Sequence, residues 1–361
     1  MNDASHAGFA KAAPDSAFRF TGSWREFAPI ALTNLLLTVV TLGIYRFWAT
    51  TRERRYLWSR TEFIDDTLDW TGTGREMFKG FLIVMALLLP GILFLQFGVQ
   101  AMVLRGQAGL AGLIAAALYG GFFYLIGVAR YRALRYRLSR TYWHGIRGGG
   151  EPGGWGYGWS YVWKSFVGTL VLGLMVPWSM TELWNERWNK MSFGPHRFEA
   201  GADTDGLMGR WVLLLLSPIA IVLALIVAAL LFSGSTTQSP ATAAVTGVAF
   251  VLGFYFLFAL IGLGYFATYM RKVIGTLELG GLRFDFTARS KDWVMLFLGH
   301  VGIVAVTLGV GLVFLSYRNW SFFIRHLEAS GNVDLDSLTQ SAAEQTTDAE
   351  GLASAFDIGA I

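Results

Sequence analysis

The sequence predicts an all-α polytopic membrane protein with internal repeats: four transmembrane helices, three re-entrant or interfacial helices, and small cytoplasmic β-hairpins. Three observations point there. Residues 211–270 contain no charged side chain, and 81–129 contain only Arg105. Apolar residues make up 54% of the 361-residue chain and charged residues 15%, against about a quarter charged in soluble domains. A Leu-Gly step, preceded by an apolar stretch and followed by aromatic and basic residues, occurs at 42–43, 172–173 and 308–309.

Taken in order, residues 1–16 are small and polar, which predicts a disordered N-terminus, and no cleavable signal peptide is evident. "FRFTG" (18–22) alternates like a strand, and the apolar stretch 27–45 follows it. "TEFIDDTLDW" (61–70) predicts a hairpin turning at Asp65-Asp66. The segment 80–129 is a transmembrane hairpin, each arm long enough for a hydrocarbon core of about 30 Å, with Pro90-Gly91 kinking its first helix. "GGGEPGGWGYGW" (148–159) lacks the ending of a phosphate-binding loop and is expected to be a flexible linker. The apolar stretch 165–181 precedes a second hairpin candidate, "MSFGPHRFEA" (191–200), turning at Gly194-Pro195. A second transmembrane hairpin spans 211–270, turning at "SGSTTQSPA" (233–241). "TLELGGLRFDF" (276–286), alternating around Gly280-Gly281, is the strongest hairpin signal in the chain. The third apolar stretch, 293–317, precedes a tail rich in Ala, Thr, Ser, Asp and Glu.

Superposing the Leu-Gly steps aligns the three stretches without gaps. Trp48, Trp178 and Phe314 fall six positions on, Trp58, Trp188 and Ile324 sixteen on, and Arg60, Lys190 and His326 eighteen on. The chain then divides into a disordered start (1–16), repeat unit one (17–139), unit two (140–275), a truncated unit three (276–345) and a disordered acidic tail (346–361). Charge weighs on the topology. If all seven apolar stretches cross, Lys and Arg divide almost evenly between the two sides. If only the four hairpin helices cross, all but Arg105 of the 29 lie on one face, which the positive-inside rule makes cytoplasmic. That favours four crossings with three dips; the length of 293–317 keeps seven crossings open.

The segments "FRFTGSWREF", "NLLLTVVTLGIYRFWATTRERRY", "GTLELGGLRF" and "GNVDLDSL" resemble the YjgN-like family of bacterial inner-membrane proteins, a conserved domain of unknown function. The resemblance covers roughly 17–340, with the middle unit departing most. It implies a multi-pass protein of the bacterial inner membrane and carries no reaction, substrate or functional residue.

Eight positions before each Leu-Gly step lie Asn34, Lys164 and His300, polar residues amid apolar ones. Such groups are costly within a membrane and mark functional candidates. If the units pack about one axis, these three could line a polar pocket for an anionic or hydrogen-bonding guest. Each also has a plain reading: a snorkelling lysine, a backbone-bonded amide, a satisfied core histidine. The basic clusters Arg52, Arg54, Arg55, Arg60 and Arg130, Arg132, Arg135, Arg137, Arg140 suit anionic lipid headgroups, or serve only to orient the protein. They abut apolar spans, which argues against nucleic acid. There is no Cys, no metal-ligand spacing, and no carboxylate within an apolar stretch, so no catalysis, metal or cofactor is expected. Two functions stay open: transport or lipid handling through a polar pocket between repeats, or a structural protein with a cytoplasmic docking surface.

Overall fold

In a computed structural model of the chain, which describes residues 17–233, 240–331 and 339–340, strands and helical hairpins alternate. Strand β1 (Phe18–Phe20) leads into a short hairpin, α1 (Trp24–Val40) and α2 (Arg46–Ser59). Strands β2 (Thr61–Phe63), β3 (Asp66–Thr67) and β4 (Asp69–Trp70) follow. A long hairpin comes next, of α3 (Gly74–Leu93), α4 (Val99–Leu104) and α5 (Ala108–Arg140), with a π-helical turn at Phe94–Gly98 joining α3 to α4. Then come β5 (Thr141–Trp143), β6 (Ile146–Gly150) and a short hairpin, α6 (Trp155–Thr169) and α7 (Val176–Trp188). Strands β7 (Met191–Phe193) and β8 (His196–Ala200) precede a long hairpin, α8 (Met208–Ser233) and α9 (Pro240–Gly275). Strands β9 (Leu277–Leu279) and β10 (Leu282–Phe286) precede the last short hairpin, α10 (Ser290–Val306) and α11 (Leu315–His326), which ends in β11 (Leu327–Gly331). Every hairpin, short or long, leaves from a strand and returns to a strand.

The expectation of an all-α protein is overturned. The strands form two antiparallel sheets, three-stranded β1-β2-β3 and eight-stranded β4 through β11 in chain order, the larger curving into a half-barrel. The two meet at Leu68, between β3 and β4, whose N–H donates to the Thr61 carbonyl at 2.9 Å. The hairpins read from the sequence are present: β2 pairs with β3, turning at Ile64-Asp65 rather than Asp65-Asp66, β7 with β8, and β9 with β10 around Gly280-Gly281, both at positive φ, while β1 adds to the first by pairing with β2. What joins them is pairing between hairpins, Gly148 with Phe193 and Ala200 with Leu277. An outer strand left alone would hold a row of unpaired backbone groups, and the next hairpin satisfies them.

The Gly-rich segment is no linker either. Gly148, Gly149 and Gly150 are buried within β6, and a Cβ on Gly148 would lie 2.7 Å from the Leu138 carbonyl oxygen, so the strand runs hard against α5. Gly158 does the same for α6. Its Cβ would meet Val128 Cγ2 at 2.5 Å and the Tyr124 carbonyl at 3.1 Å. The expected disordered ends at 1–16 and 346–361, and the turn near 233–241 except for its first and last residues, lie outside the described residues.

Among the described residues, four helices are long and apolar enough to cross a membrane: Gly74–Leu104, Ala108–Arg140, Met208–Ala228 and Ala244–Gly275. The short hairpins differ. Helices α1 and α10 have 17 residues and α6 has 15, a reach of about 25 Å or less at 1.5 Å per residue. Each then reverses at its Leu-Gly step, with φ of 52° and 91° at Leu42 and Gly43, 59° and 80° at Leu172 and Gly173, 50° and 93° at Leu308 and Gly309. Left-handed backbone suits the glycines and strains the leucines. Those leucines are nonetheless 94%, 88% and 93% exposed.

Candidate functional site

The concave face of the sheets and the sheet-side ends of the helices enclose a cavity of about 740 Å³, within the range of small-molecule sites. Alternation aims the sheet's apolar side chains into it: in β10, Leu282 and Phe284 face inward while Arg283 and Asp285 face out. Phe18, Phe63, Trp143 and Phe198 add aromatic surface from four other strands. From the helices, the positions twelve and sixteen residues past each Leu-Gly step all line the cavity: Arg54 and Trp58, Trp184 and Trp188, Trp320 and Ile324.

Several rings are fixed by their polar edges. Trp58 Nε1 donates to Thr141 Oγ1 at 2.9 Å and Trp320 Nε1 to Thr61 Oγ1 at 2.8 Å, and their ring centroids stack 4.0 Å apart. Others are not. The indole N–H groups of Trp184, Trp188 and Trp293 are buried at the cavity wall with no hydrogen-bond partner among the described residues. A buried donor without an acceptor is costly; these nitrogens are shielded, and the three residues present their rings to the cavity. Polar groups gather between α2 and α11. There Thr50, Glu53, Ser316 and Asn319 line the wall, with Ser316 Oγ donating to Glu53 Oε2 at 2.9 Å, and Arg54 lies over the Trp70 ring at 5.1 Å. The cavity is apolar over most of its wall, with many aromatic rings, and carries charge at Glu53, Arg54 and Arg137.

Asn34, Lys164 and His300 are not among its lining residues. Each faces its own hairpin. Asn34 Nδ2 donates to the Ala49 carbonyl at 3.3 Å and to Glu53 Oε1 at 3.4 Å, both on α2. Lys164 Nζ meets Glu186 at 3.0 Å and Glu182 at 3.4 Å, both on α7. Burial would raise the Glu186 carboxyl, but hydrogen bonds from Lys164 and Ser160 and the charges of Lys164 and Lys190 outweigh it and hold the carboxyl below its ordinary range. His300 lies within electrostatic reach of Arg318 on α11, its Nε2 without a partner among the described residues. Asn34 and Lys164 each join the two arms of a hairpin, whereas His300 makes no such bond to its own.

The basic clusters divide likewise. Arg52 and Arg55 are exposed, and Arg60 pairs with Glu26 at 3.0 Å. Arg54 and Arg137 line the cavity. Arg132 and Arg135 donate to the carbonyls of Gly153 and Gly150 at 3.0 Å, tying α5 to the Gly-rich segment, and Arg140 meets Glu76 at 3.2 Å. Arg130 lies over Tyr161 at 5.7 Å. Among the described residues no group of three His, Asp or Glu is placed to hold a metal. The sequence does not reveal the cavity tryptophans as lining residues, because a ring near an apolar span has the same letter whether it anchors at an interface or faces a cavity. The signal was their recurrence at fixed distance from the Leu-Gly step.

Comparison with known proteins places this geometry in a family. Residues 15–355 match the family described as "Bacterial protein of unknown function (DUF898)". Inner membrane protein YjgN of Salmonella typhimurium strain LT2 is 24% identical over 88% of this chain and 89% of its own. Inner membrane protein YjgN of Escherichia coli O157:H7 is 28% identical over 37% of this chain and 31% of its own. That of Escherichia coli K12 is 35% identical over 18% and 16%. No solved structure matches the chain.

Proposed function

The chain belongs to that family of inner-membrane proteins of unknown function, and we propose that it handles a lipid or similar amphipathic molecule in the cavity between its curved sheet and its helices. The carrying observation is the cavity itself: about 740 Å³, walled by apolar and aromatic side chains, with a polar patch containing Glu53 and Arg54. An apolar tail would lie against the rings while a polar headgroup reaches the patch between α2 and α11.

Membrane placement supports this reading. In it, the three short hairpins are copies of one element, within units 17–139, 140–275 and 276–345, that dip into the bilayer from the cytoplasmic face and return. Strained, exposed leucines at all three tips are at odds with water and suit acyl chains. The sheet then lies at the cytoplasmic boundary, where the basic residues concentrate and the positive-inside rule puts them. A cavity at that level opens onto the layer where lipid headgroups sit.

The test is to fill the space. Leu279 of β9 lines the cavity, and Leu279→Trp takes up room without adding charge. Native mass spectrometry of the wild-type protein is expected to show a co-purifying lipid, reduced at least tenfold in the variant, which corresponds to about 1.4 kcal/mol of lost affinity. Equal lipid on both proteins, or none on the wild type, rejects the proposal and leaves docking of a partner on the exposed face of the sheet as the better reading.

A further inference from the structure

The uncharged run 211–270 of the second long hairpin is bounded by Arg210 at one end and Arg271 at the other. Both of its helices are apolar enough to cross a membrane, so the two arginines sit at the same boundary, at headgroup depth. A chain of hydrogen bonds sets them side by side. Arg210 Nη1 donates to the Gly264 carbonyl at 3.1 Å, and Thr268 Oγ1, one helical turn on, donates to the same carbonyl at 3.1 Å. Arg271 Nη2 in turn donates to Thr268 Oγ1 at 3.4 Å. Both arginines also reach the start of α10: Arg210 Nη1 donates to Ser290 Oγ at 3.4 Å, and Arg271 Nη1 to the Ala288 carbonyl at 2.8 Å. Arg289 lies between those two acceptors in the chain and is exposed.

Every one of these acceptors is neutral. The carboxylates close by are otherwise engaged: Asp203 pairs with Lys272 at 2.7 Å, and Asp292 Oδ2 accepts from the Arg289 N–H at 2.8 Å. Asp292 alone leaves the three arginines with a net positive charge. The first long hairpin is built differently. There Arg75 is followed by Glu76, which meets Arg140 of the opposite arm at 3.2 Å; here Arg210 is followed by Trp211. A hydrated, mobile charge suffices to orient a protein, whereas Arg210 and Arg271 are held in place by a backbone carbonyl and hydroxyls. Arg210 is exposed and Arg271 half-buried, so the N–H groups left over from these bonds are open to a ligand. Paired guanidinium groups are the donors that phosphate oxygens match best.

We propose that Arg210 and Arg271, with Arg289 beside them, bind the phosphate group of an anionic lipid at the cytoplasmic boundary. None of the three lines the cavity, so the site holds or fails separately from the lipid-handling proposal. The experiment compares purified full-length wild type with Arg210→Gln, Arg271→Gln and Lys291→Gln; the last removes an exposed charge next to the cluster that makes none of its bonds. Native mass spectrometry reads binding of phosphatidylglycerol against phosphatidylcholine, and thermal unfolding in detergent reads the response to inorganic phosphate. Wild type is expected to prefer phosphatidylglycerol, and Arg210→Gln and Arg271→Gln to lose that preference by roughly tenfold or more. Lys291→Gln and Leu279→Trp are expected to keep it. Arg210→Gln, at an exposed helix start, is expected to unfold at the wild-type temperature, and it decides the matter if Arg271→Gln, which also gives up the tie to Ala288, folds poorly. The proposal is overturned if Arg210→Gln keeps the preference, or if Lys291→Gln loses as much, which marks diffuse surface charge. Stabilisation of the wild type by inorganic phosphate, with no preference between the lipids, also overturns it and marks a site for a free ion.

Discussion

Gly158→Leu is expected to destabilise the protein strongly and to cut the yield of folded protein. At this crossing α5 and α6 are nearly in backbone contact. A Cβ on Gly127 would lie 2.6 Å from Tyr161 Cβ and 3.0 Å from Gly158 Cα, and one on Gly158 would lie 2.5 Å from Val128 Cγ2. Backbone cannot yield as a flexible side chain can, so a leucine drives α6 off α5 and costs about 3 kcal/mol or more. That is a large share of the 5–15 kcal/mol that holds a typical domain. The displacement also pulls β6 from β7, because the strand entering α6 belongs to the continuous sheet. Gly156→Leu is the matched control: a Cβ there meets nothing within 4 Å, and this variant keeps wild-type yield and unfolding temperature. Monodisperse yield after solubilisation and the unfolding temperature check the pair. Equal behaviour of the two variants contradicts the packing.

Leu308→Asp destabilises the protein in a bilayer by up to about 3 kcal/mol, the scale for a carboxylate forced into the hydrocarbon layer. The sign carries the information. Leu308 is 93% exposed and has φ of 50°, and the left-handed region tolerates Asp better than Leu. If water surrounded the tip, the substitution would be neutral or stabilising. The same inversion is expected for Leu42→Asp and Leu172→Asp, the equivalent tips. Denaturant unfolding in lipid nanodiscs measures it, and a gain in stability at any of the three places that tip in water.

The fold was legible where its signals are local. Gly280-Gly281 between Thr276 and Phe286 announces a tight turn within eleven residues, and the spans declare themselves by lacking charge. The sheet was not legible, because Ala200 pairs with Leu277 across an entire transmembrane hairpin and no local pattern encodes that partner. Gly148 misled for a related reason: glycine gives the same letter for a free linker and for a strand pressed against a helix. Asn34 and Lys164 read as costly polar groups, yet cost alone does not separate an open site from a latch between two helices. Ala49, Glu53, Glu182 and Glu186 supply the latch. The cavity wall was half legible. Trp58 and Trp188 fall at the same distance past their Leu-Gly steps, but only the curved sheet shows that they share the wall of one cavity.

One labelling experiment addresses the common footing of all five helical hairpins. The chain has no cysteine, so single cysteines are unambiguous reporters. Arg19 of β1, Arg197 of β8 and Arg283 of β10 have side chains 72%, 69% and 74% exposed, and their surface ion pairs contribute little. Gln107, beside Arg105 in the first long hairpin, reports the far side. With a membrane-impermeant thiol reagent on cells and on inverted vesicles, Arg19→Cys, Arg197→Cys and Arg283→Cys should all react only from the cytoplasmic side, and Gln107→Cys only from the periplasmic side. Periplasmic labelling at residue 197 or 283, with residue 19 cytoplasmic, would mean that a short hairpin crosses the membrane, contradicting a single sheet at the cytoplasmic boundary.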